Sequence, residues 1–136
     1  MRKIAGCLVC VLVISVASIY ADVIGNTDDE VRRIADPIMD NILDGMKSED
    51  YMKYSRDFAK IMKGALPKEK FLTGNEQIKI IFGQYVSREY LGFLKKGNMT
   101  LVLWKARFDK TTDHVLIKLT LSKQDGKYLV TGLFFQ

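Results

Sequence analysis

The sequence predicts an α+β fold, with a long N-terminal helix and short helices packed on a curved antiparallel sheet of about four strands. Two observations carry that expectation. Residues 100–135 repeat a two-residue apolar alternation in three successive runs, whereas residues 31–82 carry apolar side chains at three- and four-residue spacing.

Thr27-Asp-Asp-Glu30 opens the helical half as a capping box, in which the Thr27 hydroxyl accepts the Glu30 N–H and the acids favour the positive end of the helix dipole. Val31, Ile34, Ala35, Ile38, Ile42 and Met46 then form one apolar stripe. Pro37 falls inside it and leaves two readings. Either one helix kinks there, or Asp36 caps a shorter helix that starts at Pro37. Gly45 lies close to the helix end. Ser48-Glu-Asp starts a second segment with Tyr51, Tyr54, Phe58, Ile61 and Met62 at helical spacing. Leu66-Pro67 starts a third, with Phe71 and Leu72 on its apolar side and Gly74-Asn75-Glu76 as a point of breakage or restart. Gly83 ends the helical half.

Tyr85, Tyr90 and Phe93 suggest a first, bent strand before the Lys95-Lys-Gly-Asn98 turn. The second strand places Val102, Trp104, Ala106 and Phe108 on one face and Leu101, Leu103, Lys105 and Arg107 on the other. The third places Val115, Ile117, Leu119 and Leu121 opposite His114, Lys118 and Thr120. Tyr128 to Phe135 forms the fourth, joined through Asp125-Gly126, a pair suited to the positive φ angles of a type I′ hairpin.

At the N-terminus, Arg2 and Lys3 precede eighteen uncharged residues from Ile4 to Ala21 that end in small side chains. This pattern predicts a cleaved signal peptide over residues 1–21 and a single domain over residues 22–136. An uncleaved membrane anchor is the alternative. A lipoprotein reading of Cys7 fails because the apolar run follows that cysteine. Each surviving reading puts the domain in the periplasm, in the medium or on the outer face of the membrane. Cys7 and Cys10 both lie in the leader, so once it is removed the mature chain has no thiol chemistry. Removing Arg2 and Lys3 from the 21 basic residues leaves 19 against 16 acidic ones, a scattered charge of +3. Scattered charge and export argue against a nucleic-acid partner.

The order of elements resembles the cone-shaped fold of nuclear transport factor 2-like, ketosteroid isomerase-like and cystatin-like proteins. Ser48-Glu-Asp-Tyr51, Phe58, Met62-Lys-Gly-Ala65, Gly83-Gln-Tyr85, Ala106-Arg-Phe108 and Gly132-Leu-Phe-Phe135 resemble a family of short exported prokaryotic proteins grouped as a domain of unknown function. The resemblance covers residues 30–136 and implies a fold, and it brings no catalytic residue.

A cone can enclose a pocket between helix and sheet, for which Trp104, Phe108, Tyr85 and Tyr90 are the expected lining. Isomerase-like chemistry in such a pocket needs a carboxylate base and a Tyr donor. Asp109 with Tyr85, Tyr90 or Tyr128 is the nearest set, but Asp109 opens a turn where an acid is favoured for local hydrogen bonds. His114, the sole histidine, reads as a solvated residue at a strand start, and with no thiol it makes no metal cluster. No cofactor motif is present. With one sheet face packed on the helices, some of Leu101, Leu103, Leu133 and Phe135 fall on the other, implying a homodimer through the sheet or a sheet coiled on itself; of the two the dimer is preferred. The expected function is therefore an exported non-catalytic domain that binds a small apolar ligand or a protein partner. The alternative is a small isomerase- or dehydratase-like enzyme using an interior carboxylate and a Tyr.

Overall fold

A computed structural model describes residues 23–136, so the expected leader lies outside the described residues. The chain runs α1 (Asp28–Ser48), α2 (Tyr51–Tyr54), α3 (Lys60–Ala65), α4 (Lys68–Ile81), β1 (Tyr85–Lys96), β2 (Met99–Phe108), β3 (Val115–Gln124) and β4 (Lys127–Phe135). The four strands form one antiparallel meander in the order β1-β2-β3-β4. The fold is α+β, with the long helix laid across the hollow face of the curved sheet. No helix among the described residues is long and apolar enough to cross a membrane.

Thr27 caps α1 by accepting the Glu30 N–H at 3.2 Å, while the Glu30 carboxylate reaches the Asn26 N–H at 2.7 Å, one residue earlier than a capping box requires. Helix α1 continues through Pro37, which is exposed. The shorter helix capped by Asp36 is thereby excluded: Asp36 sits inside α1, and its side chain turns to the sheet. The helix ends on Glu49 in the left-handed region (φ 56°), with the Asp50 N–H returning to the Gly45 carbonyl at 2.9 Å. Gly45 is thus not itself the stop. It lets α2 approach, because a Cβ there would lie 2.6 Å from the Tyr54 nitrogen.

The segment expected as one helix from Tyr51 to Met62 is two. The Val130 N–H donates to the Asp57 carbonyl and the Ala59 N–H to the Val130 carbonyl, both at 2.8 Å. This short parallel bridge holds Phe58 extended, and it covers part of the free edge of β4. Ile61 consequently points to solvent, whereas Phe58 and Met62 are buried. Helix α4 is continuous through Gly74. Buried Asn75 donates to the Met46 carbonyl at 2.9 Å and pins α4 to the end of α1.

The core forms where Val31, Ala35, Ile38, Met39 and Ile42 of α1 meet Val102, Trp104 and Ala106 of β2, Ile117 and Leu119 of β3 and Val130 of β4. Burying each aliphatic side chain contributes roughly 1.5–3 kcal/mol. Tyr54 closes one end, its ring 4.3 Å from that of Phe71 and 4.9 Å from that of Phe58. Asp125 and Gly126 adopt φ 50° and 75°, as the β3–β4 hairpin requires.

Two register shifts bend β1, at Val86 and at Leu91, and a third in β4 falls at Thr131. The last one decides which side chains face outward. Leu133 and Phe135 pack against the core, while Gly132 and Phe134 pair with Thr120 and Lys118 on the outer face. Leu101 and Leu103 do lie outward, beside exposed Leu94 and Phe134. The outer apolar set is therefore Leu94, Leu101, Leu103 and Phe134, without Leu133 or Phe135.

Candidate functional site

Along α1, residues four apart share a flank, and here Asp28, Arg32, Asp36 and Asp40 form a polar ladder facing β1. The Tyr90 hydroxyl donates to Asp28 Oδ1 at 2.7 Å, and the Arg32 guanidinium lies 5.1 Å from the Tyr90 ring centre. Burial, together with the Asp28 carboxylate, pushes the Tyr90 phenol well above its ordinary range. The Trp104 indole N–H donates to Asp36 Oδ1 at 3.1 Å.

Arg88 stands at the centre of this seam. Its Nη2 pairs with Asp40 Oδ1 at 2.7 Å and Asp36 Oδ1 at 3.6 Å and donates to the Asp36 carbonyl at 3.3 Å, and its Nη1 donates to the Tyr85 hydroxyl at 3.3 Å. The guanidinium also sits 5.6 Å from the Trp104 ring centre. Burial opposes its charge, but the hydrogen bonds to Tyr85 and Asp40 outweigh burial and raise its pKa, so Arg88 stays cationic. The two ends of the Arg88–Asp40 pair differ in solvation: the Arg88 side chain is 13% exposed and that of Asp40 63%.

Arg88 lines a cleft of about 720 Å³ between the second half of α1, the last turns of α4 and the start of β1. Leu43, Met46, Ile78, Tyr85 and Phe108 form its apolar floor, and Asp40, Asp44, Lys47 and Lys79 its charged rim. Lys79 donates to Glu49 at 2.8 Å, and Lys53 approaches Asp44 at 3.6 Å. The α4–β1 connection is stitched in place: the Gln84 N–H donates to Asp109 Oδ1 at 2.7 Å, and the Asp109 N–H returns to the Gln84 carbonyl at 2.9 Å. Gly83 (φ 89°) has no room for a Cβ beside Asp109 and Lys110. A second, more apolar groove of about 360 Å³ lies on the other side of α4, toward Leu133 and Phe135, and shares Met46, Asn75 and Ile78 with the first.

Of the four side chains expected to line a pocket, the structure brings Tyr85 and Phe108 together in the cleft, their rings 5.8 Å apart edge to face. Trp104 is fully buried beneath α1, and Tyr90 is tied to Asp28 beyond the cleft. Asp109 is exposed and serves the turn, and His114 is exposed just before β3. No Asp or Glu among the described residues is buried, and Asp40, which does meet the cleft beside a Tyr, is engaged by Arg88. The desolvated carboxylate on which isomerase-like proton abstraction relies is not assembled here. Among the described residues no cluster of His, Cys, Asp or Glu is arranged to hold a metal ion.

The sequence reading missed Arg88, Asp40, Lys47 and Lys79. A signal for Arg88 existed: it lies two residues before Tyr90, hence on the same strand face, and an arginine in phase with the hollow side of a sheet needs an anion. No protein-family model matches the sequence, and no curated protein matches it.

Proposed function

We propose that this protein is an exported, non-catalytic binding domain that holds a small ligand with an apolar body in the cleft between α1, α4 and β1. The cleft carries the reading: about 720 Å³ of space stays open above an apolar floor although the core beneath it is filled. Small-molecule sites combine apolar walls with a few fixed polar groups, and here Arg88 and Tyr85 are such groups. Kinship with the nuclear transport factor 2-like proteins belongs to the same proposal, supported by the helix lying across a curved four-stranded meander. Export rests on the charge pattern and the uncharged run of residues 1–21. The mass of the secreted chain tests it, since an intact leader refutes cleavage.

The test of binding is a titration of the purified protein with N-phenyl-1-naphthylamine, a neutral dye that brightens in apolar sites. The expected result is saturable binding that Ile78→Trp, which fills the cleft, abolishes while the melting temperature holds. Equal binding by the filled variant overturns the reading.

The outer sheet face favours a second, compatible role. Leu94, Leu101, Leu103 and Phe134 form an apolar patch that a second copy would cover by sheet-to-sheet packing. Sedimentation is expected to show a dimer that Leu103→Glu converts to monomer; a wild-type monomer at high concentration removes this role.

A further inference from the structure

We infer that the ligand of the cleft is an amphipathic monocarboxylate, its carboxylate bound by Arg88 in the seat that Asp40 occupies. The inference rests on the cleft being a binding site, as proposed above, and adds the chemistry of the ligand.

Three features of the Arg88–Asp40 pair carry it. The seat already receives a carboxylate oxygen, 2.7 Å from Nη2, so a carboxylate fits its geometry. The pair is also lopsided. With 13% of its side chain exposed, Arg88 cannot recover hydration; Asp36 Oδ1, 3.6 Å from Nη2, stays beside it, and the nearer anion, Asp40, at 63%, returns to water when displaced. Exchange therefore costs the protein little at the Asp40 end and leaves no naked charge at the Arg88 end. Finally, the guanidinium is held in place whatever the occupant. The Tyr85 hydroxyl, the Asp36 carbonyl and the Trp104 ring fix it from three directions, and an arginine held this way presents a rigid fork.

The rest of the molecule is placed to fit. Next to Arg88 the cleft floor is half-buried Tyr85, with Ile78 beyond, so a ligand anchored by its carboxylate lays its hydrocarbon along these two, over the nearly covered Phe108 and Met46. Ile78 and Met46 also border the second groove, which gives a longer chain somewhere to continue beneath α4. On the rim Asp40 and Asp44 balance Lys47 and Lys79, so the preference for an anionic head falls to Arg88. In this reading Asp40 is a resident competitor: it shares the pairing of Arg88 with Asp36 and lowers affinity for the ligand by having to be displaced.

The inference makes an unusual demand, that loss of a contact should strengthen binding. Displacement of N-phenyl-1-naphthylamine from the full-length purified protein by decanoate, decanol, decyl phosphate and decyltrimethylammonium, at pH 7 and fixed salt, tests it. Decanoate is expected to compete about tenfold or more better than decanol, the worth of a charge-assisted bond in a water-poor site. Asp40→Asn is expected to raise decanoate affinity several-fold and leave decanol unchanged. Arg88→Gln is expected to erase the preference for decanoate. Because that variant also weakens the α1–β1 seam, it is read only alongside Asp40→Asn, which leaves Asp36 Oδ1, 3.6 Å from Nη2, as the counter-ion of Arg88. Equal competition by decanoate and decanol, preference for decyl phosphate or the ammonium, or an Asp40→Asn variant that binds decanoate no better than wild type each overturns the inference while the cleft itself stands. Failure of the dye to bind removes both.

Discussion

Gly45 is where the packing of this fold can be tested most sharply, because two opposing effects of one methyl group can be weighed. Replacing Gly45 by Ala inside α1 improves helix propensity by about 1 kcal/mol. The added Cβ, however, would lie 2.6 Å from the Tyr54 nitrogen, 2.7 Å from its Cα and 2.8 Å from its Cβ. Two of these are backbone atoms and cannot rotate aside, so α1 and α2 must separate by roughly 1 Å to reach ordinary contact distance. That displacement drags the Tyr54 ring from its seat against Phe58 and Phe71 and strains the Asp50 N–H bond to the Gly45 carbonyl. Overpacking of this kind costs about 1–3 kcal/mol, and a backbone obstacle places it in the upper half of that range. The net effect is a destabilisation of about 1–2 kcal/mol, a drop in melting temperature of roughly 5–15 °C for a domain of this size. The matched control is Gly74→Ala in the interior of α4, where an added Cβ meets nothing within 4 Å and stability should rise by about 0.5–1 kcal/mol. Urea and thermal unfolding followed by circular dichroism measure both. A Gly45→Ala protein as stable as the wild type refutes the close-approach account, and a fall in Gly74→Ala equal to that in Gly45→Ala shows that propensity and local space were wrongly weighed.

Two further outcomes follow from single buried groups. The Thr100 hydroxyl is fully buried on the inner face with no hydrogen-bond partner among the described residues, so Thr100→Val, nearly the same shape, should stabilise by about 1 kcal/mol; a lower urea midpoint refutes this. Burial, with a contribution from Tyr51, pushes the Tyr54 phenol up to about 12 from 10.0. The folded protein therefore holds that proton where the unfolded chain has lost it, so this stability is complete below pH 10 and disappears as pH rises to about 12. A rise of that size corresponds to roughly 2–3 kcal/mol, and the alkaline fall in stability of Tyr54→Phe should be shallower by about that amount; parallel pH profiles for the two proteins would contradict the assignment.

The parts of the fold legible in the sequence are those whose reasons are local. Strands β2 and β3 alternate without interruption, so Val102, Trp104 and Ala106, like Val115, Ile117 and Leu119, fall on the buried face that their spacing predicts. Asp125-Gly126 has the backbone angles that those two residues favour. What escaped has distant causes. Nothing near Phe58 says that the helix must break there; the break is imposed by Val130, seventy-two residues on, whose two backbone groups take Asp57 and Ala59 as partners. Gly74 resembles a breakpoint, yet Asn75 beside it ties α4 to Met46 across 29 residues and the helix runs on. In β4 the shift at Thr131 turns Leu133 and Phe135 inward and leaves Phe134 outside, and no alternation rule contains an extra residue.

The candidate site was hidden for the same reason. Tyr85, Arg88, Tyr90 and Phe93 cannot share a face by strict alternation, since 85 and 93 differ in parity from 88 and 90. The shifts at Val86 and Leu91 bring all four opposite the inward residues Phe108, Ala106, Trp104 and Val102. A bulge that bends the strand around α1 is thus also what delivers an arginine to the hollow side. Once there it needs a counter-ion, and Asp36 and Asp40 sit one helical turn apart on the facing flank. The α1–β1 seam is consequently polar where the rest of the helix–sheet contact is apolar. Its width is set by hydrogen bonds with preferred lengths, which do not close up as hydrocarbon does. That difference gives a physical reason for a cleft to stay open at this end of an otherwise filled core: charged groups hold helix and strand apart at the mouth, and Ile78 and Tyr85 remain half-buried behind them.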